Sequence, residues 1–180
     1  MNCNTMNKIC ACLSLKHVHY FLILVSAASL SFAYIAEYGF GILPCDFCLY
    51  ERYVYAGVIV VGLLSLKTET FSGPRGIFAQ LFVLTIGIAL TFYHVGMEQH
   101  WWAGPASCTG PAPAATFEDY RAQLMMKLRP RCDQVSWAIF GISATLWNLM
   151  LQAGLAFLTS LGLYLPHSQS QVSRNRKNKH

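Results

Sequence analysis

Long stretches without Asp, Glu, Lys or Arg alternate with short charged segments along this chain. Val18–Ala36, Tyr53–Leu66, Gly76–Met97 and Gln134–Leu165 carry no such residue. About 20 mainly apolar residues cross a bilayer as a helix, so the first and third stretches qualify as they stand. The second reaches that length if it begins near Cys48, drawing Glu51 and Arg52 into the interface. The fourth is too long for one upright helix. Its start, through "SWAIFG", reads as an aromatic segment lying along the interface, with the span running from about Ser143 to Leu165. The pattern predicts an all-α membrane protein, a four-transmembrane-helix bundle with spans at 18–36, 48–66, 76–97 and 143–165. A segment at 1–17 precedes them, loops at 37–47 and 98–142 connect two pairs, and a tail at 166–180 follows.

Composition agrees with this reading. Of the 180 residues, 54% are hydrophobic and only 12% charged, about half the charged fraction of soluble domains. The placement of Lys and Arg sets the orientation. Lys8, Lys16, Lys67, Arg75, Arg174, Arg176, Lys177 and Lys179 fall on one side, against Arg121, Lys127, Arg129 and Arg131 on the other. Both termini are therefore expected in the cytoplasm and loops 37–47 and 98–142 outside. The pI near 8.9 comes largely from cytoplasmic segments, so it does not indicate nucleic-acid binding. The small residues of "SAASLSFA" resemble a signal-peptide cleavage site, but the apolar run is longer than such peptides need, and an uncleaved anchor is expected. The tail "SQSQVSRNRKNKH" is polar and expected to be disordered.

Cysteine placement then changes the picture. Cys3, Cys10 and Cys12 lie in the N-terminal segment, whereas Cys45, Cys48, Cys108 and Cys132 all fall in or beside the outer loops. Disulfides persist outside the cytosol, so two bridges, 45–48 and 108–132, are the natural pairing, although three connectivities are formally open. On the chain-entropy estimate, the loop from Cys108 to Cys132 would stabilise by about 3.5 kcal/mol and the short Cys-x-x-Cys ring by about 2. A structural purpose suits the first and is weak for the second, which reads as a redox pair. Zinc sites often use two close-spaced pairs. Only one pair here is close, so no metal site is expected.

"PCDFCLYER", at 44–52, concentrates the candidate chemistry. A helix starting near Cys45 would put Cys45, Cys48 and Arg52 on one face, with Cys48 in the first turn, where the helix dipole favours a thiolate. Arg52 would add a positive charge one turn deeper, unless it snorkels or pairs with Glu51. In the second loop, Pro105, Pro111, Pro113, Gly104 and Gly110 surround Cys108 and predict an exposed, mobile cysteine. Trp101 and Trp102 read as interfacial anchors, and Thr116–Leu128 as a short helix. His94 and Glu98 form an i, i+4 pair at the outer end of the third span. A thiolate beside a cation at the membrane surface suits electron transfer to an acceptor dissolved in the bilayer.

These residues together resemble the bacterial disulfide bond formation protein B family, DsbB. The resemblance rests on "PCDFCLYER", the outer Cys108/Cys132 pair, "LTFYHVGMEQHWWAGPASC" and "RCDQVSWAIFGIS", and spans Val18 to Leu165. It implies a quinone-dependent protein-disulfide oxidoreductase of the bacterial inner membrane with its redox loops in the periplasm. A reduced DsbA-like thioredoxin-fold partner would attack Cys108, Cys132 would then attack Cys45, and Cys48 would pass electrons to ubiquinone or menaquinone. Arg52, with Glu51 and His94, would line the quinone site. Vitamin K epoxide reductase-like proteins place their loop cysteines before the Cys-x-x-Cys, the reverse of the order here. The rival of another class is a non-enzymatic four-span scaffold with structural disulfides.

Overall fold

The computed structural model describes residues 3–68, 74–105, 108, 115–125 and 130–177. Helix α1 runs Cys3–Tyr34 and ends in a π-helical turn at Ile35–Gly39; α2 spans Asp46–Lys67 and α3 Pro74–Glu98. A short α4 at Phe117–Met125 precedes a hairpin of β1 (Ala138–Ile139) and β2 (Ile142–Ser143), and α5 spans Ala144–Lys177. Among the described residues, four stretches are long and apolar enough to cross a membrane: Lys16–Gly39, Asp46–Lys67, Pro74–Glu98 and Ala144–Leu161. The protein is an all-α four-span membrane protein.

The helices close into a ring, α1 on α2, α2 on α3, α3 on α5 and α5 back on α1. Each contributes to one apolar core: Leu22 from α1, Tyr55 and Val58 from α2, Leu84 from α3 and Leu155 from α5. Phe21, Leu24, Leu63, Phe78, Phe82 and Phe157 point outward, the surface that lipid would cover. Because lipid is as apolar as leucine, close backbone approach and buried polar contacts must hold such helices together. Both are present. A Cβ on Gly87 of α3 would lie 2.6 Å from Val54 Cγ1 and 2.5 Å from Gln152 Oε1, so α2, α3 and α5 meet where only glycine fits. In the half of the bundle away from the Cys-x-x-Cys, buried His19 and Gln80 pair at 2.6 Å, and Gln80 Nε2 donates to the Val58 carbonyl at 3.2 Å.

Three local structures bear on the expectations above. "SWAIFG", read as a segment lying along the interface, instead builds the β1–β2 hairpin, with Ile139 opposite Ile142. Phe140 and Gly141 both have positive φ (53° and 78°), the backbone of a tight two-residue hairpin turn. The Trp147 indole donates to the Ile139 carbonyl at 3.2 Å and ties the hairpin to α5. The tail, expected to be disordered, continues the α5 backbone to Lys177, since it contains no Gly or Pro after Pro166 to stop a helix. The helix expected at Thr116–Leu128 is α4 as far as Met125, and residues 126–129 lie outside the described residues.

Candidate functional site

Cys45 is the N-cap of α2, with extended φ/ψ, and its sulfur accepts from the Cys48 backbone N–H at 3.2 Å. The Cys-x-x-Cys spacing thus follows the N-cap-to-N3 geometry usually filled by Ser or Asp. The two sulfurs lie 2.7 Å apart. The hydrogen bond with Cys48 and the burial of its sulfur push the Cys45 thiol well above the ordinary cysteine range.

Cys108 and Cys132 come to the same place. Cys45, Met97, Cys108 and Cys132 form one buried cluster against Phe47, Cys48 and Trp102, and the Cys132 N–H donates to the Cys108 carbonyl at 2.8 Å. A turn at the end of α3 makes this possible. His100 takes a left-handed φ of 58°, while the His100 and Trp101 N–H groups return to the Met97 and Gly96 carbonyls, a Schellman cap. Trp102 then folds back over Gly96, where any side chain would collide with the indole, and its Nε1–H donates to the Tyr93 carbonyl at 3.1 Å. Trp102, expected to anchor at the interface, therefore roofs the thiol cluster. Cys108 is correspondingly only 1% exposed, contrary to the exposed cysteine expected from the prolines and glycines around it. Met97, Gly104 and Cys132 cover it despite the irregular backbone.

A polar chain leads away from the sulfurs. His94 Nε2 lies 3.5 Å from Cys45 Sγ, and His94 Nδ1 lies 2.9 Å from Glu51 Oε1. Asn148 Nδ2 donates to Glu51 Oε2 at 2.6 Å. Asn148 Oδ1 in turn accepts from the Tyr55 hydroxyl at 2.5 Å and from Gln152 Nε2 at 3.4 Å. Because the Glu51 carboxylate accepts at both oxygens, His94 Nδ1 carries a proton, and in the neutral ring this leaves the Nε2 lone pair facing Cys45. Glu98, the expected i, i+4 partner of His94, accepts instead from Thr145 at 2.6 Å.

Arg52 departs from expectation. Its guanidinium forms an ion pair with Glu37 on the π turn, donates to the Ala33 carbonyl at 3.3 Å and lies 4.9 Å from the Tyr34 ring centre. The carboxylate drawing it is across the α1–α2 loop, so its charge is held on the α1 side and not aimed at Cys48. Glu37, Asn148 and Tyr55 were missed in sequence. Glu37 carried a weak signal as an acidic residue in a predicted outer loop; the other two carried none.

A cavity of about 360 Å³ opens beside these groups. Cys48, Glu51, Arg52, His94, Glu98 and Asn148 line its polar side, and Leu30, Phe32, Leu43, Trp137, Ile139 and Leu151 its apolar side. Its volume and its few convergent polar groups are those of a small-molecule site. The same fold brings Cys45 Sγ, His94 Nε2 and Cys132 Sγ within 4.8 Å of one another, a grouping that the cysteine spacing argued against.

Comparison with known proteins bears on this geometry. The family model described as "Disulfide bond formation protein DsbB" matches residues 16–162. The chain is 30% identical over 156 residues to the uncharacterized protein RP370 of Rickettsia prowazekii, covering 85% of this chain and 90% of that one. It is 29% identical over 165 residues to disulfide bond formation protein B 2 of Pseudomonas savastanoi, again covering 85% and 90%. Disulfide bond formation protein B of an Azoarcus species is 30% identical over 148 residues, covering 76% and 84%.

Proposed function

This chain belongs to the DsbB family, and from that premise we propose that it reoxidises a periplasmic thioredoxin-fold dithiol partner of the DsbA kind and delivers the electrons to membrane quinone. The observation that carries the reading is the meeting of four thiols with a ligand-sized cavity at the start of α2. Orientation in the bacterial inner membrane, with both termini cytoplasmic and the thiol-bearing loops periplasmic, is supported by the Lys and Arg placement.

In the working cycle the oxidised chain carries the 45–48 and 108–132 disulfides. The partner's thiolate attacks Cys108, its second thiol closes the partner's own disulfide, and Cys108 and Cys132 are left as thiols. Cys132 then attacks Cys45, displacing Cys48 as a thiolate, and Cys108 attacks Cys132 to restore the 108–132 bridge and release Cys45 reduced. Each exchange is a thiolate substitution at sulfur, so the electron pair moves inward without loss. A quinone bound in the cavity would supply the sink for that pair and two protons. Cys48 and Arg52 on the polar side, with Trp137, Ile139 and Leu151 on the apolar side, are the residues that would hold it. The His94 Nε2 lone pair is placed to accept the Cys45 proton, with Glu51 stabilising the resulting imidazolium. Attack on Cys108 requires lifting it from beneath Met97 and Trp102, which couples partner docking to access.

Purified full-length chain, reduced DsbA-type partner and either ubiquinone or menaquinone test the reading. Quinone reduction should keep pace with partner oxidation and vanish in Cys48→Ala. Folded protein with both bridges intact that reduces neither quinone sinks it and leaves the four-span scaffold with structural disulfides as the better account.

A further inference from the structure

Three donor atoms at the thiol cluster satisfy a chemistry that electron relay does not require. Cys45 Sγ, Cys132 Sγ and His94 Nε2 come from three separate parts of the chain and lie within 4.8 Å of one another, and all three residues are buried. With zinc–sulfur and zinc–nitrogen bonds of about 2.3 and 2.05 Å, the sulfur-to-nitrogen edge of a tetrahedral centre is about 3.5 Å and the sulfur-to-sulfur edge about 3.8 Å. The Cys45–His94 separation is already 3.5 Å. Shifts of at most about 1.3 Å would bring the remaining pairs to those edges.

The surroundings are also those of a metal ligand. His94 is held through its other ring nitrogen by Glu51, whose second oxygen is fixed by Asn148. A carboxylate behind a ligating histidine sets its tautomer and aims Nε2 at the metal. Two soft thiolates and an imidazole select zinc over calcium or magnesium.

We propose that the fully reduced protein is a zinc-binding centre, with Cys45, Cys132 and His94 as ligands and the fourth position open to water. Zinc binding and disulfide exchange through these sulfurs are then mutually exclusive. Zinc binding moves no electrons and releases the two thiol protons to solvent. Oxidation of Cys45 and Cys132 into disulfides removes two ligands and expels the ion. Zinc would thus hold the protein in its fully reduced form and stop turnover before the 45–48 disulfide can be re-formed. The site needs only the reduced thiols, so its failure leaves the proposed electron path standing, and failure of the quinone assay leaves the site standing.

The test uses untagged full-length protein carrying Cys3→Ser, Cys10→Ser and Cys12→Ser, which removes the N-terminal thiols. It is reduced with a phosphine and stripped of metal. Zn²⁺ is then titrated against a chromogenic chelator, with Co²⁺ as the spectroscopic probe for thiolate-to-metal charge transfer. One ion per chain is expected, with binding lost in Cys45→Ser and Cys132→Ser and weakened about 10- to 100-fold in Glu51→Gln. The same protein oxidised with diamide should bind none, an arm that needs no further substitution and so survives misfolding of any variant. Zinc held equally by reduced and oxidised protein overturns the proposal. So does affinity unchanged in Cys132→Ser or His94→Ala, or the absence of stoichiometric binding.

Discussion

Removing the Asn148 amide tests the polar chain behind the thiols. Asn148 donates to Glu51 and accepts from Tyr55, and Asn148→Leu keeps its volume while deleting both roles. In the parent protein, Tyr55→Phe removes one neutral hydrogen bond, costing about 0.5–1.5 kcal/mol. The Asn148 oxygen still has the 3.4 Å contact from Gln152 to fall back on. In the Asn148→Leu background the Tyr55 hydroxyl, in a residue only 5% exposed, keeps only the neighbouring Gln152 and Ser29 side chains. Deleting it there should cost less than in the parent, because the bond to Asn148 is already gone. Interhelical hydrogen bonds in membranes average only about 0.6 kcal/mol, so the lower half of the range applies. The expected coupling is about 1 kcal/mol, with Tyr55→Phe destabilising alone and close to neutral beside Asn148→Leu. Reversible denaturant titration of all four proteins in mixed micelles measures it. Additivity within about 0.5 kcal/mol would show that these two side chains do not share a hydrogen bond and would refute the chain as drawn.

Other outcomes follow from the same geometry. Brief alkylation of the reduced protein at neutral pH should label Cys48 ahead of Cys45, with Cys45 labelling rising only at alkaline pH. A thiol whose pKa is raised stays protonated, and so unreactive, through neutrality, and peptide mapping by mass spectrometry would expose the reverse order. Arg52→Leu should destabilise by about 1–3 kcal/mol, less than for a fully buried pair because both side chains keep some exposure. Adding Glu37→Gln should recover part of that loss in the same titration, and no recovery would mean the pair is not the cause. Gly87→Val should cost about 1–3 kcal/mol by overpacking against Val54 and Gln152, whereas Gly154→Ala, with open space around it, should cost little; equal losses would count against the close three-helix contact.

The spans were readable because a bilayer imposes a length, and the chain's charge-free stretches meet it. The redox cysteines were readable because Cys-x-x-Cys is local and the other pair falls in one outer loop. What the pattern could not give was partnership across elements. Arg52 and Glu37 are fifteen residues apart and meet only because a π turn points the carboxylate across the loop. Asn148 is one polar residue in an apolar helix, and nothing local in the sequence marks Glu51 and Tyr55 as its partners. Cys108 sits among prolines and glycines that signal irregular backbone, and irregular backbone was mistaken for exposure.

The π turn at Ile35–Gly39 has a consequence for how the chain can change length. Such a turn is an α-helix carrying one surplus residue, so losing a single residue there would let α1 continue as ordinary helix. Residues beyond the turn would keep their facing, because the turn itself absorbs the surplus residue, but the widened backbone that carries Glu37 to Arg52 would be lost. Single-residue insertions and deletions are usually harmless near a helix end. In this turn they would instead take the Glu37–Arg52 pair from one face of the cavity, making this a segment whose residue count is constrained more tightly than its residue identities.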